Sequence, residues 1–590
     1  MSDVVHPCQI RQIIDHLNPV HVSRVARRPE IVTIIEQTVV TQVVQELADR
    51  YWDGLLAADP LLGLQCGDDR YSHRLPDLSP SGWEAREHLS RGALAEVAVL
   101  RRGDSGLDDL AVLDTVECIA KAQIAAIDHG VHRWSPIDHM WGPATVPDQM
   151  GSLQVAETPT QFENYFLRLT YLPQYLAQCS ALLRSDSSRP GGPGLVVDRC
   201  IAQVQRILDC PPESSPFLKP IHTKQIRRRS MVTQLLMQAL KPAFGQYQDA
   251  LKSYRSKARS SIGLCGLTDG DAIYAFRIKQ WTSLPLTPHG IRELGAEELG
   301  RTYADMDELA SHLGAANAAE AMQAYGADSR NYFLSRDDIV RAASEQVERA
   351  WVRLPEFFRR LPSASCVVRP VDPSREADVL EHYFPAADGR PAIYFVNTAS
   401  PERKRRNSLP VVTYHEANPG HHLQISRERE QAQRPDLLRL GGELAASAFI
   451  EGWGLYAERL ADEMELYVDD FERLAMLGSQ AFREARLVVD TGIHAFGWSI
   501  EKAAEELVRT GLDEKSAALE AARYVALPGQ ALAYKIGQVE INRTRHQMAT
   551  SADRSAVQDF HEWILGLGAV PLSTLRRAVT AKTSESKQAG

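Results

Sequence analysis

The histidines and glutamates best suited to chemistry stand in one short segment, HEANPGHH, at residues 415–422. In the zinc-protease pattern H-E-x-x-H, two histidines four residues apart share a helical face, and the glutamate beside the first acts as general base. Here the sequence Ala-Asn-Pro-Gly separates His415 and Glu416 from the next two histidines. On a regular helix His421 would face another side, and His422 would lie about 10 Å along the axis. A straight helix therefore cannot bring either pair to one ion.

The Pro-Gly pair offers a way around this mismatch. Pro419 removes a helical hydrogen bond and clashes with the preceding turn, and Gly420 permits unusual dihedral angles. A local bulge that takes up two residues would return His421 to the position of the second ligand, and such bulges often occur at functional sites. If the bulge falls differently, His422 takes that position. The alternative is an ordinary helix end at which histidines happen to gather.

A candidate third ligand is Glu451, in the segment ELAASAFIEGWGLYAERLADEM at residues 443–464. Its neighbours are apolar or small, and a buried carboxylate without a partner is costly. The ordinary partner would be an arginine. Because a catalytic zinc site needs three protein ligands and an open fourth position, we instead predict that His415, His421 and Glu451 bind one zinc ion. Glu458 lies seven residues further on, on the same face, where it could orient a ligand histidine.

Helices must carry these ligands, because apolar residues recur at helical spacing along most of the chain. The best strand candidates are SCVVRPV at residues 365–371 and PAIYFVNT at residues 391–398, both rich in β-branched and aromatic residues. The second run ends just before the HEANPGHH segment, and as an edge strand it could pair with an extended substrate backbone. The sequence therefore predicts a mainly α fold with a small β-sheet next to the metal-binding helix.

A Gly- and Pro-rich segment divides the chain. SDSSRPGGPG, at residues 185–194, suits neither helix nor strand and indicates a linker or surface loop. We predict an N-terminal helical region at residues 1–190 and a helical metallopeptidase-like region at residues 195–590 that carries the active site. A single intertwined catalytic unit is the other arrangement that the sequence allows.

The overall composition is that of a globular protein, with 44% hydrophobic and 24% charged residues in 590. The net charge of −10 argues against nucleic-acid binding, which needs a basic surface. The N-terminal residues lack the pattern of a signal peptide, and no apolar run is long enough to span a membrane. The 8 cysteines include no C-x-x-C pair and indicate buried thiols in a reducing compartment. We therefore expect a cytoplasmic protein.

Four segments together carry a resemblance to a known family: HEANPGHHLQ, EGWGLYAERLADEMELY, ARLVVDTGIHAFGWS and RYVALPGQALAYKIG. They resemble the successive signatures of the bacterial domain-of-unknown-function family 885 (DUF885), whose members look like zinc peptidases. The resemblance implies a large helical zincin-like protein of the glutamate-ligand (gluzincin) type, akin to thimet-type oligopeptidases and carboxypeptidase Taq. Dipeptidyl peptidase III, whose motif has one inserted residue, is a precedent for an expanded H-E-x-x-H.

The same resemblance implies two further catalytic residues. The segments RLVVDTGIHAFGW and PGQALAYKIG supply polar groups that could stabilise a developing oxyanion. The resemblance favours Tyr534 and His494 as these donors, with Glu416 as the general base. The structural alternatives are that Arg486 and Asp490, at helical spacing, bridge each other and that Tyr534 is a core tyrosine.

These observations predict a zinc-dependent hydrolase that cleaves amide bonds of short peptides with water, using one Zn2+ per chain. The expected partner is a short peptide or peptide-like small molecule, with no nucleic acid and no membrane. Two alternatives stay open: a specialised metal-dependent amide hydrolase or tailoring enzyme acting on one small metabolite, and a non-catalytic helical binding protein. The binding-protein alternative does not account for the combination of His415, Glu416 and Glu451, since a binding protein needs no general base.

Overall fold

The computed structural model describes residues 29–102, 106–185, 191–373, 376, 380–386, 391–549 and 553–589. The N-terminal residues on which the absence of a signal peptide was argued lie outside these ranges, as do residues 186–190 of the predicted linker. Within the described ranges, the helices include none that is both long enough and apolar enough to cross a membrane.

Helices dominate the chain, which confirms the predicted mainly α fold. Those that precede the sheet are α1 (Pro29–Ala58), α2 (Pro60–Cys66), α3 (Pro80–Leu100), α4 (Leu107–Asp128), α5 (Val146–Leu153), α6 (Pro159–Arg184), α7 (Gly194–Asp209), α8 (Ile226–Leu235), α9 (Lys241–Arg255), α10 (Gly270–Thr282), α11 (Pro288–His312), α12 (Ala318–Ala327) and α13 (Arg336–Arg353). Local capping rules explain where several of these helices begin. For example, Thr158 and Gln161 form a reciprocal capping box ahead of α6.

The sheet and the remaining helices make up the rest of the described chain. The strands are β1 (Cys366–Pro370), β2 (His382–Phe384) and β3 (Ala392–Val396). The helices that follow are α14 (Leu409–Glu416), α15 (His421–Arg429), α16 (Asp436–Gly441), α17 (Glu443–Glu463), α18 (Asp470–His494), α19 (Ile500–Val508), α20 (Glu514–Ala526), α21 (Ala533–Met548), α22 (Arg554–Leu567) and α23 (Leu572–Ala589).

The small sheet confirms both predicted strands but not the predicted edge. The strand order is β1-β3-β2. β3 pairs in parallel with β1, with Val368 opposite Tyr394, and antiparallel with β2, with Tyr383 opposite Tyr394. The expectation that PAIYFVNT forms an edge strand for substrate is therefore wrong, because neighbouring strands occupy both of its sides.

Hydrophobic side chains from distant parts of the chain share common cores. One cluster includes Trp453 of α17 and Phe560 of α22. Another includes Tyr165 of α6 and Val489 of α18. The second core thus contains residues from both sides of the segment 190–195, and the division into regions at residues 1–190 and 195–590 stays a prediction.

Two long helices, α17 and α21, cross at a pair of glycines. A Cβ atom added to Gly537 would lie 1.7 Å from the carbonyl oxygen of Ala448, and one added to Gly452 would lie 2.4 Å from the backbone of Gly537. Such distances are far below van der Waals contact, so only glycine allows this approach. The crossing holds the first turn of α21, which carries Tyr534, beside the middle of α17, which carries Glu451.

We expect Gly537→Ala to destabilise the protein by about 1–3 kcal/mol, because the added methyl group must push two packed helices apart. The matched control is Gly478→Ala, in the interior of α18, where an added Cβ meets no atom within 4 Å. That change should leave stability unchanged or raise it by about 0.4–1 kcal/mol. The measurement is the urea concentration at half-unfolding. Equal midpoints for both variants would show that the crossing is not tight.

Candidate metal centre

The helix that carries His415 ends before the next histidines are reached. α14 ends at Glu416 and α15 begins at His421, and the peptide bond between Asn418 and Pro419 is cis. Ala417 (φ −100°, ψ −113°) lies outside the helical region. Pro419 has no N–H with which to continue the helical hydrogen bonds. A break between two helices therefore takes the place of the predicted bulge within one helix.

This break brings the three predicted ligands together. The Nε2 atoms of His415 and His421 each lie 3.6 Å from Oε2 of Glu451. The two imidazole rings are nearly perpendicular, at 87°, with centroids 4.7 Å apart. Burial alone would raise the pKa of Glu451, but the two histidines hold that pKa well below its usual range. The cluster is therefore compact, and its carboxylate is the charged partner of both rings.

The cluster could hold a metal ion. Two imidazoles and one carboxylate are a common donor set at catalytic zinc sites that keep an open position. In a tetrahedral site with bonds of about 2.0–2.2 Å, the donor atoms stand about 3.3–3.6 Å apart, and the two histidine–glutamate distances here are 3.6 Å. The Nδ1 atom of His421 is buried without a hydrogen-bond partner among the described residues. Packing, not a second hydrogen bond, therefore orients this ring.

His415 is held from behind by Glu458, as predicted. Its Nδ1–H donates to Oε1 of Glu458 at 2.8 Å, so that Nε2 faces the cluster. The other carboxylate oxygen of Glu458 accepts from Gln480 at 3.2 Å. A Cβ atom at Gly454 would lie 2.6 Å from the imidazole of His415, so the glycine makes room for this ring. Burial alone would lower the pKa of His415, but Glu451 and Glu458 raise it to about 9.

The neighbouring His422 is bonded elsewhere. Its Nδ1 atom accepts from the hydroxyl groups of Tyr383 at 3.1 Å and Ser426 at 3.2 Å, and its Nε2–H donates to the carbonyl of Ala364 at 3.0 Å. Burial lowers its pKa to about 4. Because both ring nitrogens have protein partners, His421 and not His422 is the second histidine of the cluster.

Glu416, the candidate general base, is half-buried at the end of α14. Among the described residues, no hydrogen bond or ion pair engages its carboxylate. Burial raises its pKa, the charges of His421 and His415 oppose the rise, and Glu451 adds to it. Glu416 directly follows His415 and therefore lies close to the cluster, and among the described residues its carboxylate is not committed to a protein partner.

Tyr534 also lies beside the cluster. Its ring is nearly parallel to that of His415, at 24°, with the centroids 6.5 Å apart. Its hydroxyl oxygen accepts from Arg523 at 3.2 Å, and the guanidinium carbon of Arg486 lies 4.3 Å from the centre of its ring. Burial raises the pKa of Tyr534, and the charge of Glu451 adds to this effect. These polar contacts distinguish Tyr534 from a simple core tyrosine.

The contacts of His494 are of a different kind. Its Nε2–H donates to the carbonyl of Tyr524 at 3.0 Å, and its ring lies 5.3 Å from that of Tyr274. Burial lowers its pKa to about 3. His494 also lies eight residues beyond Arg486 on α18, about 12 Å along the helix axis. The partners of His494 are thus Tyr524 and Tyr274 and not Tyr534. Its catalytic role stays a prediction.

The sequence analysis passed over three charged residues near the cluster: Arg523, Glu520 and Glu443. The first two form an i, i+3 pair on α20, a spacing typical of exposed helix faces. Glu443 is the first residue of α17, and burial and the charge of Glu451 raise its pKa to about 8. The backbone at Ala446, between the two glutamates, departs from helical geometry, so their spacing in the sequence does not indicate a common helix face.

The two adjacent histidines provide a matched test of the metal centre. His421→Ala should reduce bound metal from about one ion per chain to near zero, because three protein ligands are the working minimum. His422→Ala should keep the ion, since its ring bonds to Tyr383, Ser426 and Ala364. The metal content of both purified variants is measured by mass spectrometry after dialysis against zinc. Retention of the ion in His421→Ala and its loss in His422→Ala would reverse the assignment.

Comparisons with known proteins agree with this fold. A crystal structure of a putative lipoprotein from Colwellia psychrerythraea is similar, with a TM-score of 0.85, 25% identity, and coverage of 92% of this chain and 100% of that one. A second, a putative lipoprotein of unknown function from Shewanella oneidensis, has a TM-score of 0.70, 17% identity, and coverage of 91% and 99%. No curated protein matches the sequence. The family described as bacterial protein of unknown function (DUF885) matches residues 60–579, and the chain therefore belongs to the DUF885 family.

Proposed function

We propose that the protein is a zinc-dependent hydrolase that cleaves amide bonds of short peptides. The observation that carries the proposal is the juxtaposition of the cluster of His415, His421 and Glu451 with the uncommitted carboxylate of Glu416. Nitrogen and oxygen donors in this combination suit zinc. A structural metal site has no need of a free carboxylate, whereas hydrolysis needs a base next to the ion.

Glu416 has the properties that the base requires. When bound, the ion supplies a Lewis acid that polarises the substrate carbonyl and activates water. Glu416 accepts the proton from the attacking water and returns it to the leaving amine. Because no arginine or lysine neutralises this carboxylate among the described residues, it keeps the capacity to accept a proton.

In this proposal Tyr534 stabilises the oxyanion. Its oxygen accepts a hydrogen bond from Arg523, so its own O–H remains available to donate in another direction. A phenol can donate to a growing negative charge without competing for the metal, as a carboxylate would. Arg523, behind the hydroxyl, makes the phenol a stronger donor. The role of oxyanion donor therefore falls to Tyr534, with His494 as the second candidate.

The low accessibility of the site favours short substrates. The side chains of His415, His421 and Glu451 are 4%, 10% and 16% exposed. This low exposure favours a narrow, extended segment over a bond on the surface of a folded protein. The same site could act on the amide of a single metabolite. The breadth of cleavage in a peptide-library digest distinguishes these two substrate classes.

The central test combines metal analysis with a peptide-library digest of the parent protein and of Glu416→Gln. The parent should bind about one zinc ion per chain and cleave library peptides. Glu416→Gln should keep the ion and the fold but lose most turnover, because an amide cannot accept the proton of water. Turnover of this variant at the parent rate would show that Glu416 is structural. A parent protein that binds no zinc and cleaves nothing would refute the proposed function.

Tyr534→Phe tests the oxyanion donor. This variant should keep zinc and change KM little, but lower kcat by about 10²–10³-fold, the usual loss for one such donor. His494→Gln is the companion variant, and a comparable loss there would assign the role to His494. A lower melting temperature for Tyr534→Phe with unchanged kcat would identify the tyrosine as a packing residue.

A further inference from the structure

Two arginines beside Tyr534 share a single carboxylate. Arg486, from α18, donates to Oε2 of Glu520 at 3.0 Å and to the hydroxyl of Tyr524 at 3.0 Å. Arg523, from α20, donates to Oε1 of the same glutamate at 3.5 Å and to Oε1 of Gln530 at 2.8 Å. Arginine is always charged in proteins. The described groups therefore leave one positive charge without a negative partner.

The unpaired charge is largely shielded from water. Arg486 is 4% exposed. Its Nη1 atom and the Nε atom of Arg523 are both buried without a hydrogen-bond partner among the described residues. A buried charge without a partner is costly, and a guanidinium fork matches a carboxylate in shape and charge. These two side chains are therefore built to receive an anion.

The arginine pair lies within substrate reach of the metal centre. Arg523 contacts the hydroxyl of Tyr534, and Arg486 packs on its ring, which is 6.5 Å from that of His415. The side chain of Arg523 is 20% exposed, so solvent reaches part of it. The guanidinium carbon of Arg486 lies within about 11 Å of the ring centre of His415, a span of up to about three residues of extended peptide. An anion at the arginines would thus sit up to three residues from a peptide bond at the metal.

We propose that Arg486 and Arg523 form the subsite for the free C-terminal carboxylate of the peptide, so that the protein releases residues from the C-terminal end. This inference rests on the proposed function for its catalytic meaning, but the carboxylate subsite is a binding property that can be measured without turnover. A carboxylate would accept hydrogen bonds from Nη1 of Arg486 and Nε of Arg523, the two donors that have no partner among the described residues. A C-terminal amide brings no charge to the pair.

The first experiment measures binding by calorimetry, using N-acetyl-trialanine as the free acid and as its C-terminal amide. The protein is stripped of metal with a chelator, which removes the ion as a competing carboxylate ligand. The acid should bind about 10- to 100-fold more tightly than the amide, the difference expected for charge-assisted hydrogen bonds. Equal affinity, or failure of the acid to bind, overturns the subsite.

Arg523→Gln should abolish the preference for the acid. The matched control is Arg545→Gln, because Arg545 is similarly shielded, at 18% exposure, but is fully paired with Glu463. It lies eleven residues from Tyr534 on α21, about 16 Å along the axis, and its substitution should keep the preference. If Arg523→Gln does not fold, Arg523→Lys replaces it and should retain only part of the preference, because lysine lacks the fork. An unchanged preference in the folded variant refutes the assignment.

In the second experiment, the zinc-loaded protein digests a peptide library with free C-termini and, separately, the same library with amidated C-termini. Cleavage confined to free acids supports the subsite, whereas equal cleavage of both libraries overturns it and leaves the proposed hydrolase intact. If the arginines act only by supporting Tyr534, Arg523→Gln should slow both libraries by the same factor. If neither library is cleaved, the proposed function fails, and the calorimetric preference alone decides on the subsite.

Discussion

The carboxylate of Glu451, placed in the apolar stretch of α17, is the constraint on which the rest of the site depends. A charge at that depth is tolerated only with charged or metal partners, and two imidazoles lie 3.6 Å from it. The same helix face meets the further needs of His415. Gly454 leaves space for its ring, and Glu458 accepts its Nδ1–H. One helix, α17, thus supplies a candidate metal ligand, space for the ring of His415 and the carboxylate that orients this ring.

The features of the site that depend only on residues close together in the sequence could be predicted. The i, i+7 spacing of Glu451 and Glu458 places both on one helix face, and the run PAIYFVNT has strand composition. Its neighbours in the sheet could not be predicted, because pairing with β1 and β2 joins segments that no local pattern relates. Similarly, Pro419 indicated a distortion, but whether a helix bulges or ends there depends on how the following helix packs.

The residues that sequence analysis missed or misjudged owe their positions to tertiary packing. Glu520 and Arg523 have the spacing of an ordinary surface pair and become part of the site only because α20 lies against α18. His494 shares a motif with Arg486, yet 12 Å of helix axis and a hydrogen bond to Tyr524 give it different surroundings. Arg486 did not bridge Asp490, which instead accepts from Tyr274 and the backbone of Gly529.

The distribution of charge links the metal centre to the arginine pair. Glu416 and Glu451 together carry two negative charges, which a divalent ion would balance, and Glu458 is faced by Arg483 at 3.7 Å. Among the described residues, Glu520 is the one acidic partner that Arg486 and Arg523 share. With a divalent ion in the cluster, the excess positive charge would therefore reside at Arg486 and Arg523 and not at the metal. A substrate with a neutral amide at one point and an anionic group up to three residues away satisfies both regions at once, because each receives a group that matches its local charge.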